Sequence, residues 1–126
     1  PYCIPGEYTR EAGAEAIRQM WKLIPAPTAL ITFSNMQMLG VLHELCCGPY
    51  NIQIPEDLTL ATYDRLPDLE LLSIRPLTVQ FDNNAIGLQC AQAVLERIRT
   101  PSLLNRNFIF DPTLVSGNAM GLPHIQ

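Results

Sequence analysis

The spacing of hydrophobic and polar positions changes several times along the chain, and each change predicts an element. From Thr9 onward Ile17, Met20, Trp21 and Ile24 recur at three and four. That is the period of a helix turning one face to a core, and it predicts a helix over about Thr9 to Leu23, ended by Pro25 and Pro27. Thr28 to Phe33 is unbroken apolar or β-branched sequence, which predicts a central strand of a parallel sheet covered on both faces. Met38, Leu39, Leu42, Leu45 and Cys46 then fall to one side of a helix over about Met36 to Cys47, with Gly48-Pro49 as its exit.

Leu58 to Tyr63 reads as a second strand, ended by Asp64 and a loop through Pro67, with a helical turn over Asp68 to Leu72. Leu77 to Phe81 reads as a third. Asp82 or Asn83 can cap a helix running to about Arg99, whose stripe is Ile86, Cys90, Val94 and Ile98. Asn107 to Phe110 and Thr113 to Val115 read as a last extended segment broken by Asp111-Pro112, and the tail beyond reads as frayed. Strands and helices that alternate with long crossovers pair in parallel through right-handed βαβ units. The predicted fold class is therefore α/β, a three-layer sandwich on a mainly parallel sheet, with hydrogen-bonding groups gathered at the strand ends where open sheets bind ligands.

Composition narrows the picture. The length of 126 residues suits one compact domain. With 48% hydrophobic residues, 16% charged and a mean hydropathy of +0.11, the chain is globular, and part of its surface is expected to meet a partner. A net charge of -4, with only 8 Lys and Arg scattered singly, excludes a nucleic-acid surface. No apolar run is long enough to span a membrane, and Pro1 cannot open a signal peptide, so the chain is expected to be a fragment or a processed form. Cys3, Cys46, Cys47 and Cys90 show no CxxC spacing, and the adjacent pair would need a strained ring to bridge. They read as buried, reduced thiols of a cytoplasmic protein.

Several short motifs follow in a fixed order: Gly6-Glu7-Tyr8 with Gly13; Pro27-Thr28-Ala29; Ser34-Asn35 with Gly40; Pro55-Glu56-Asp57; Tyr63-Asp64; and Pro76-Leu77-Thr78-Val79 before Gly87. In this order and spacing the chain resembles the effector-binding domain of the LacI/GalR family of bacterial transcription regulators, whose core has the periplasmic-binding-protein type I fold. The resemblance covers nearly the whole chain. It implies that residues 1–76 and about 107–119 belong to the C-terminal lobe, and about 77–106 to a crossing strand and a helix of the other lobe. The DNA-reading headpiece and most of the N-terminal lobe are absent, so DNA would be contacted only through that missing headpiece.

The same resemblance implies ligand-binding roles for Tyr8, Ser34, Asn35, Asp64 and Phe81. Tyr8 would stack a flat ring on a sugar or base; equally, it can be a surface residue ahead of the helix. Ser34 and Asn35 would bond ligand hydroxyls, although Asn35 can also be the helix cap. Asp64 would hold two adjacent hydroxyls with one carboxylate, against the alternative of a turn into Arg65-Leu66-Pro67. Phe81 stands where the family frequently has a polar residue, and Leu114-Val115-Ser116-Gly117 lacks the family's usual Arg. Met38, Leu42 and Leu45 lie on the helix the family uses for dimers and are candidates for an interface.

Ile86, Val94, Leu95 and Ile98 would each forgo roughly 1.5 to 3 kcal/mol if left in water, against a total domain stability of about 5 to 15. Self-association, by exchange of that helix, is therefore expected. His43 and His124 have no partners at metal-ligand spacing. No GxSxG, P-loop, HExxH or GxGxxG occurs, so neither catalysis nor a cofactor is expected. The implied function is effector sensing and homodimerisation in a cytoplasmic regulator, with a sugar or related metabolite as the small-molecule effector and no membrane partner. The alternatives are a periplasmic sugar-binding protein of a transporter and a pure dimerisation module.

Overall fold

In the computed structural model, which describes residues 2–121, Thr9 opens the first helix. Its hydroxyl accepts from the Ala12 N–H at 3.2 Å, filling one of the donor vacancies that every helix start leaves. The helix α1 covers Arg10–Met20. It ends before the predicted Leu23, so Ile17 and Met20 are buried while Trp21 and Ile24 fall past its last turn and stay exposed. The helix α2 covers Asn35–Cys47, and its N-cap is Ser34 rather than Asn35.

The two helices cross through reciprocal glycines. A Cβ on Gly13 would lie 2.0 Å from the Gln37 carbonyl oxygen, and one on Gly40 would lie 1.9 Å from that of Arg10. Backbones this close let Ile17 and Met20 of α1 meet Met38, Val41 and Leu42 of α2 in one core with Leu58, Leu60, Leu66 and Ala119.

The strands are β1 (Ala29–Thr32), β2 (Thr59–Tyr63), β3 (Leu77–Gln80) and β4 (Thr113–Val115), in that spatial order. β1 runs parallel to β2 with Ala29 opposite Thr59, and β2 parallel to β3 with Ala61 opposite Leu77. Among the described residues the first strand stands at the edge of the sheet, where its unbroken apolar run predicts a central position. Leu30 and Thr32 face α1 and α2, whereas Ile31 on the other face is 60% exposed. An apolar run states what a strand can tolerate; it does not supply the cover. Beneath the strand ends, the Thr32 hydroxyl donates to Thr62 Oγ1 at 2.8 Å, and both hydroxyls lie within reach of the Ser34 carbonyl at 3.2 and 3.3 Å. These buried polar groups are satisfied in place.

A short 3-10 turn, Leu69–Leu71, follows β2. After β4 the predicted fraying does not occur over the described residues. Asn118 accepts from the Arg75 N–H at 2.7 Å and donates to the Ser73 carbonyl at 2.9 Å. Ala119 is buried, and its carbonyl accepts from the Leu60 N–H at 2.9 Å. His124 lies outside the described residues.

By its contacts the chain divides into two units, one holding residues up to Gln80 with those from Leu114 on, the other holding Phe81–Thr113. In the second, α3 (Asn83–Arg99) starts at Asp82, whose Oδ1 accepts from the Ala85 N–H at 2.9 Å. None of its residues is buried, so the Ile86, Cys90, Val94 and Ile98 stripe has no close cover. Arg97 binds Asn105, and Arg106 pairs with Glu96. Residues 107–110, predicted as extended, form no regular element. All four cysteines are free and exposed rather than buried; their apolar character permits burial but does not compel it.

Arg18 ties α1 to α2 by two bonds to Glu44, at 3.0 Å from Nε and 2.7 Å from Nη2. Glu44 therefore turns toward α1. The Tyr50 hydroxyl donates to the same carboxylate at 3.3 Å, and its ring meets Trp21 edge-on at 5.5 Å. Burial, then the Glu44 charge, raises the Tyr50 pKa. The folded state keeps that proton after the unfolded state has lost its own, so this contribution is complete below about pH 10 and declines as pH rises through the folded value. Urea unfolding between neutral and strongly alkaline pH is expected to show this decline, and Tyr50→Phe to remove it.

Candidate functional site

The carboxyl ends of β1 and β2 open onto the first turn of α2, and that turn organises what surrounds it. Ser34 leaves β1, and its hydroxyl accepts from the Gln37 N–H at 3.1 Å. Ser34 is buried and caps α2. Asn35 donates from Nδ2 to the Arg65 carbonyl at 3.1 Å, clamping the loop after β2.

Asp64 heads that loop with φ at 67°, and its N–H donates to the Val79 carbonyl at 3.0 Å. The left-handed conformation is one that Asp and Asn adopt more readily than other residues with a Cβ. It places the carboxylate at the surface, exposed, with Arg65 beside it. Arg65 in turn lies 3.6 Å from Glu70 in an exposed ion pair, worth little in stability.

On the other side stands Gln37, a residue that sequence patterning did not single out. Its Oε1 accepts from the Phe33 N–H at 3.2 Å, and its Nε2 donates to the Glu7 carbonyl at 2.9 Å. One side chain thereby pins the segment carrying Tyr8 to the end of β1. Polar residues in a first helical turn usually face water, so nothing local in the sequence marks this one. Tyr8 itself is 69% exposed.

These bonds hold the Tyr8 segment and the Asp64 loop to the first turn of α2, with Ser34 buried at its start. Phe81 belongs to the second unit, where it is half-buried. The interface candidates fare differently: Met38 and Leu42 lie in the core against α1, and only Leu45 keeps part of its surface. Their helical spacing marked an apolar face, and α1 occupies that face. Phe33 and Tyr63 stack at 5.6 Å on the uncovered side of the sheet. Among the described residues no group of three His, Cys, Asp or Glu side chains stands ready for a metal ion. No helix among them is long and apolar enough to cross a membrane.

A periplasmic binding protein-like domain matches residues 2–118. The chain belongs to that family. Its sequence relatives include the HTH-type transcriptional repressor CytR of Escherichia coli K12, 27% identical over 97% of this chain and 36% of that protein. Another is the repressor PurR of Vibrio atlanticus, 28% identical over 89% of this chain and 33% of that protein. The 126 residues thus span about a third of the length of these relatives. Among solved structures, a LacI-type regulator from Bacillus cereus subsp. cytotoxis superposes with a TM-score of 0.85 at 21% identity, covering 94% of this chain and 41% of that one. A ribose-bound LacI family regulator from Enterococcus faecium superposes with a TM-score of 0.80 at 17% identity, over 92% and 42%. The LacI-type resemblance read from the motifs holds, as does the α/β fold class, and the relatives are named as regulators, not as enzymes.

Proposed function

We propose that these residues form part of the effector-sensing domain of a LacI-type transcriptional regulator, taking a sugar or related metabolite at the strand ends with Tyr8, Asn35 and Asp64 as contacts. The observation that carries this reading is the double staple of α2, in which Gln37 holds the Tyr8 segment and Asn35 holds the Asp64 loop. An exposed carboxylate accepts from adjacent hydroxyls, and an exposed ring offers a flat face to the C–H surface of a sugar. The ribose complex among the similar structures, and a CelR–cellobiose complex, support a sugar. Ligand binding would close two lobes and shift a pre-existing equilibrium between two states. Homodimerisation, contact with DNA through a headpiece outside these residues, and a cytoplasmic location belong to the same reading. The alternative of a periplasmic carrier has less support, since the sequence relatives are transcriptional repressors.

The test is calorimetric titration of a sugar panel, ribose and cellobiose included, onto a protein in which this segment is joined to its second lobe. Asp64→Asn keeps the left-handed backbone and the side-chain shape while removing the charge. It is expected to weaken binding by about tenfold or more, roughly 1.4 kcal/mol, with the melting temperature unchanged. Undiminished binding in this variant would remove Asp64 from the site and the reading with it.

A further inference from the structure

The helix α2 runs unbroken over Asn35–Cys47, and its turn of 3.6 residues sorts the side chains of its last stretch. Met38 and Leu42 lie in the core against α1. Cys46 follows Leu42 by one turn and leans to that side. His43 and Cys47, also one turn apart, are both exposed, and the helical repeat sets them only about 40° apart around the axis. Four residues along a helix is a metal-ligand spacing, so the helix corrects the expectation that His43 has no such partner.

Side chains four apart on a helix stand about 5 to 6 Å from each other at Cβ. Zinc bonds of about 2.1 Å to an imidazole nitrogen and about 2.3 Å to a thiolate close a gap of that size. Helices that carry two histidines at the same spacing hold zinc in this way. The end of α2 adds an electrostatic argument. Its last turn holds no basic side chain, so the partial negative charge at the carboxyl end of the helix is left to favour a cation. Glu44, next to His43, is committed to Arg18 and Tyr50. No three donors converge among the described residues, so the chelate has two protein ligands, with water completing the shell.

We propose that His43 and Cys47 chelate a thiophilic divalent cation of the zinc class at the end of α2. A thiolate with an imidazole suits zinc better than magnesium or calcium, which take oxygen ligands. The neutral imidazole gives a nitrogen lone pair, and the Cys47 thiol releases its proton to solvent and binds through sulfur. Both donors come from one helical turn, so the chelate draws on no other segment. The proposal does not depend on the effector reading. The bound ion would brace the last turn of α2, which leads through Gly48 to Tyr50 and its contact with Trp21.

The test is anaerobic titration of the 126-residue chain with cobalt(II) alone, followed by zinc(II). One ion per chain is expected, with a near-ultraviolet thiolate-to-cobalt band that zinc abolishes. His43→Ala and Cys47→Ser are each expected to weaken binding by about tenfold or more, with the circular dichroism of the apo chain unchanged because both side chains are exposed. Cys47→His keeps two donors four residues apart. By competition with a chromophoric chelator it is expected to hold zinc within about threefold of the wild type, and to lack the thiolate band. Cys3→Ser, Cys46→Ser and Cys90→Ser are expected to leave the affinity unchanged. Absence of the band in the wild type overturns the proposal. So does binding that survives His43→Ala or Cys47→Ser, a loss in Cys46→Ser as large as in Cys47→Ser, or one ion for every two chains, which would assign the ion to a bridge between copies.

Discussion

Gly40→Ala is expected to lower the free energy of unfolding by about 3 kcal/mol, the upper part of the usual range for overpacking a close contact. The new Cβ would lie 1.9 Å from the Arg10 carbonyl oxygen and 3.0 Å from the Ala14 nitrogen. Both are backbone atoms of a helix, so no side chain can swing aside and the helices must separate. Separation at this point strips contact from Ile17, Met20, Met38 and Val41, all within the core formed where α1 meets α2. It also moves the first turn of α2, and with it the Gln37 bond that holds the Tyr8 segment. Gly87→Ala in α3 is the control. Nothing lies within 4 Å of its added Cβ, so the better helix propensity of Ala is expected to stabilise by up to about 1 kcal/mol. Denaturant unfolding of the two variants checks both signs, and equal midpoints would mean that α1 and α2 do not cross closely at Gly40.

Those two glycines also show where sequence reasoning stops. Both sit in helical patterns and look alike along the chain, and only the crossing partner separates a packing glycine from a weak helix former. Features set by near neighbours were legible: the helix start at Thr9, the cap at Asp82, the stop at Gly48, and the strand-helix alternation that orders the sheet. Ser34 shows the intermediate case. Its place at a strand end could be read, but its hydroxyl is committed to the Gln37 N–H and its carbonyl to Thr32 and Thr62. The reach of Gln37 to Glu7 spans 30 residues, a separation that no local pattern reports. For the same reason Met38 and Leu42 looked like a surface patch, although α1 covers them. Asp64 was legible as a strand-end acid, and its positive φ agrees with the turn chemistry of the residues that follow.

The exposed side of β1 gives the second large effect. Leu60 is fully buried, and its strand partner Leu30 packs against the same core. Leu60→Ala removes most of a buried side chain and leaves a cavity that a parallel sheet under two crossing helices cannot close, so it is expected to cost about 3 to 4 kcal/mol. Ile31 is just as apolar and lies opposite Ala61 in the same pair of strands, yet it is 60% exposed. In the monomer, Ile31→Ala is expected to cost less than about 1 kcal/mol, mostly the β-branched preference for strands. The contrast therefore measures whether one face of the sheet or both are covered in solution. Association that covered this face would bury Ile31, and the cost of truncating it would then grow with protein concentration while the cost of Leu60→Ala stayed fixed. Urea titrations of both variants at low and high concentration distinguish these cases, because only assembly makes one midpoint move without the other.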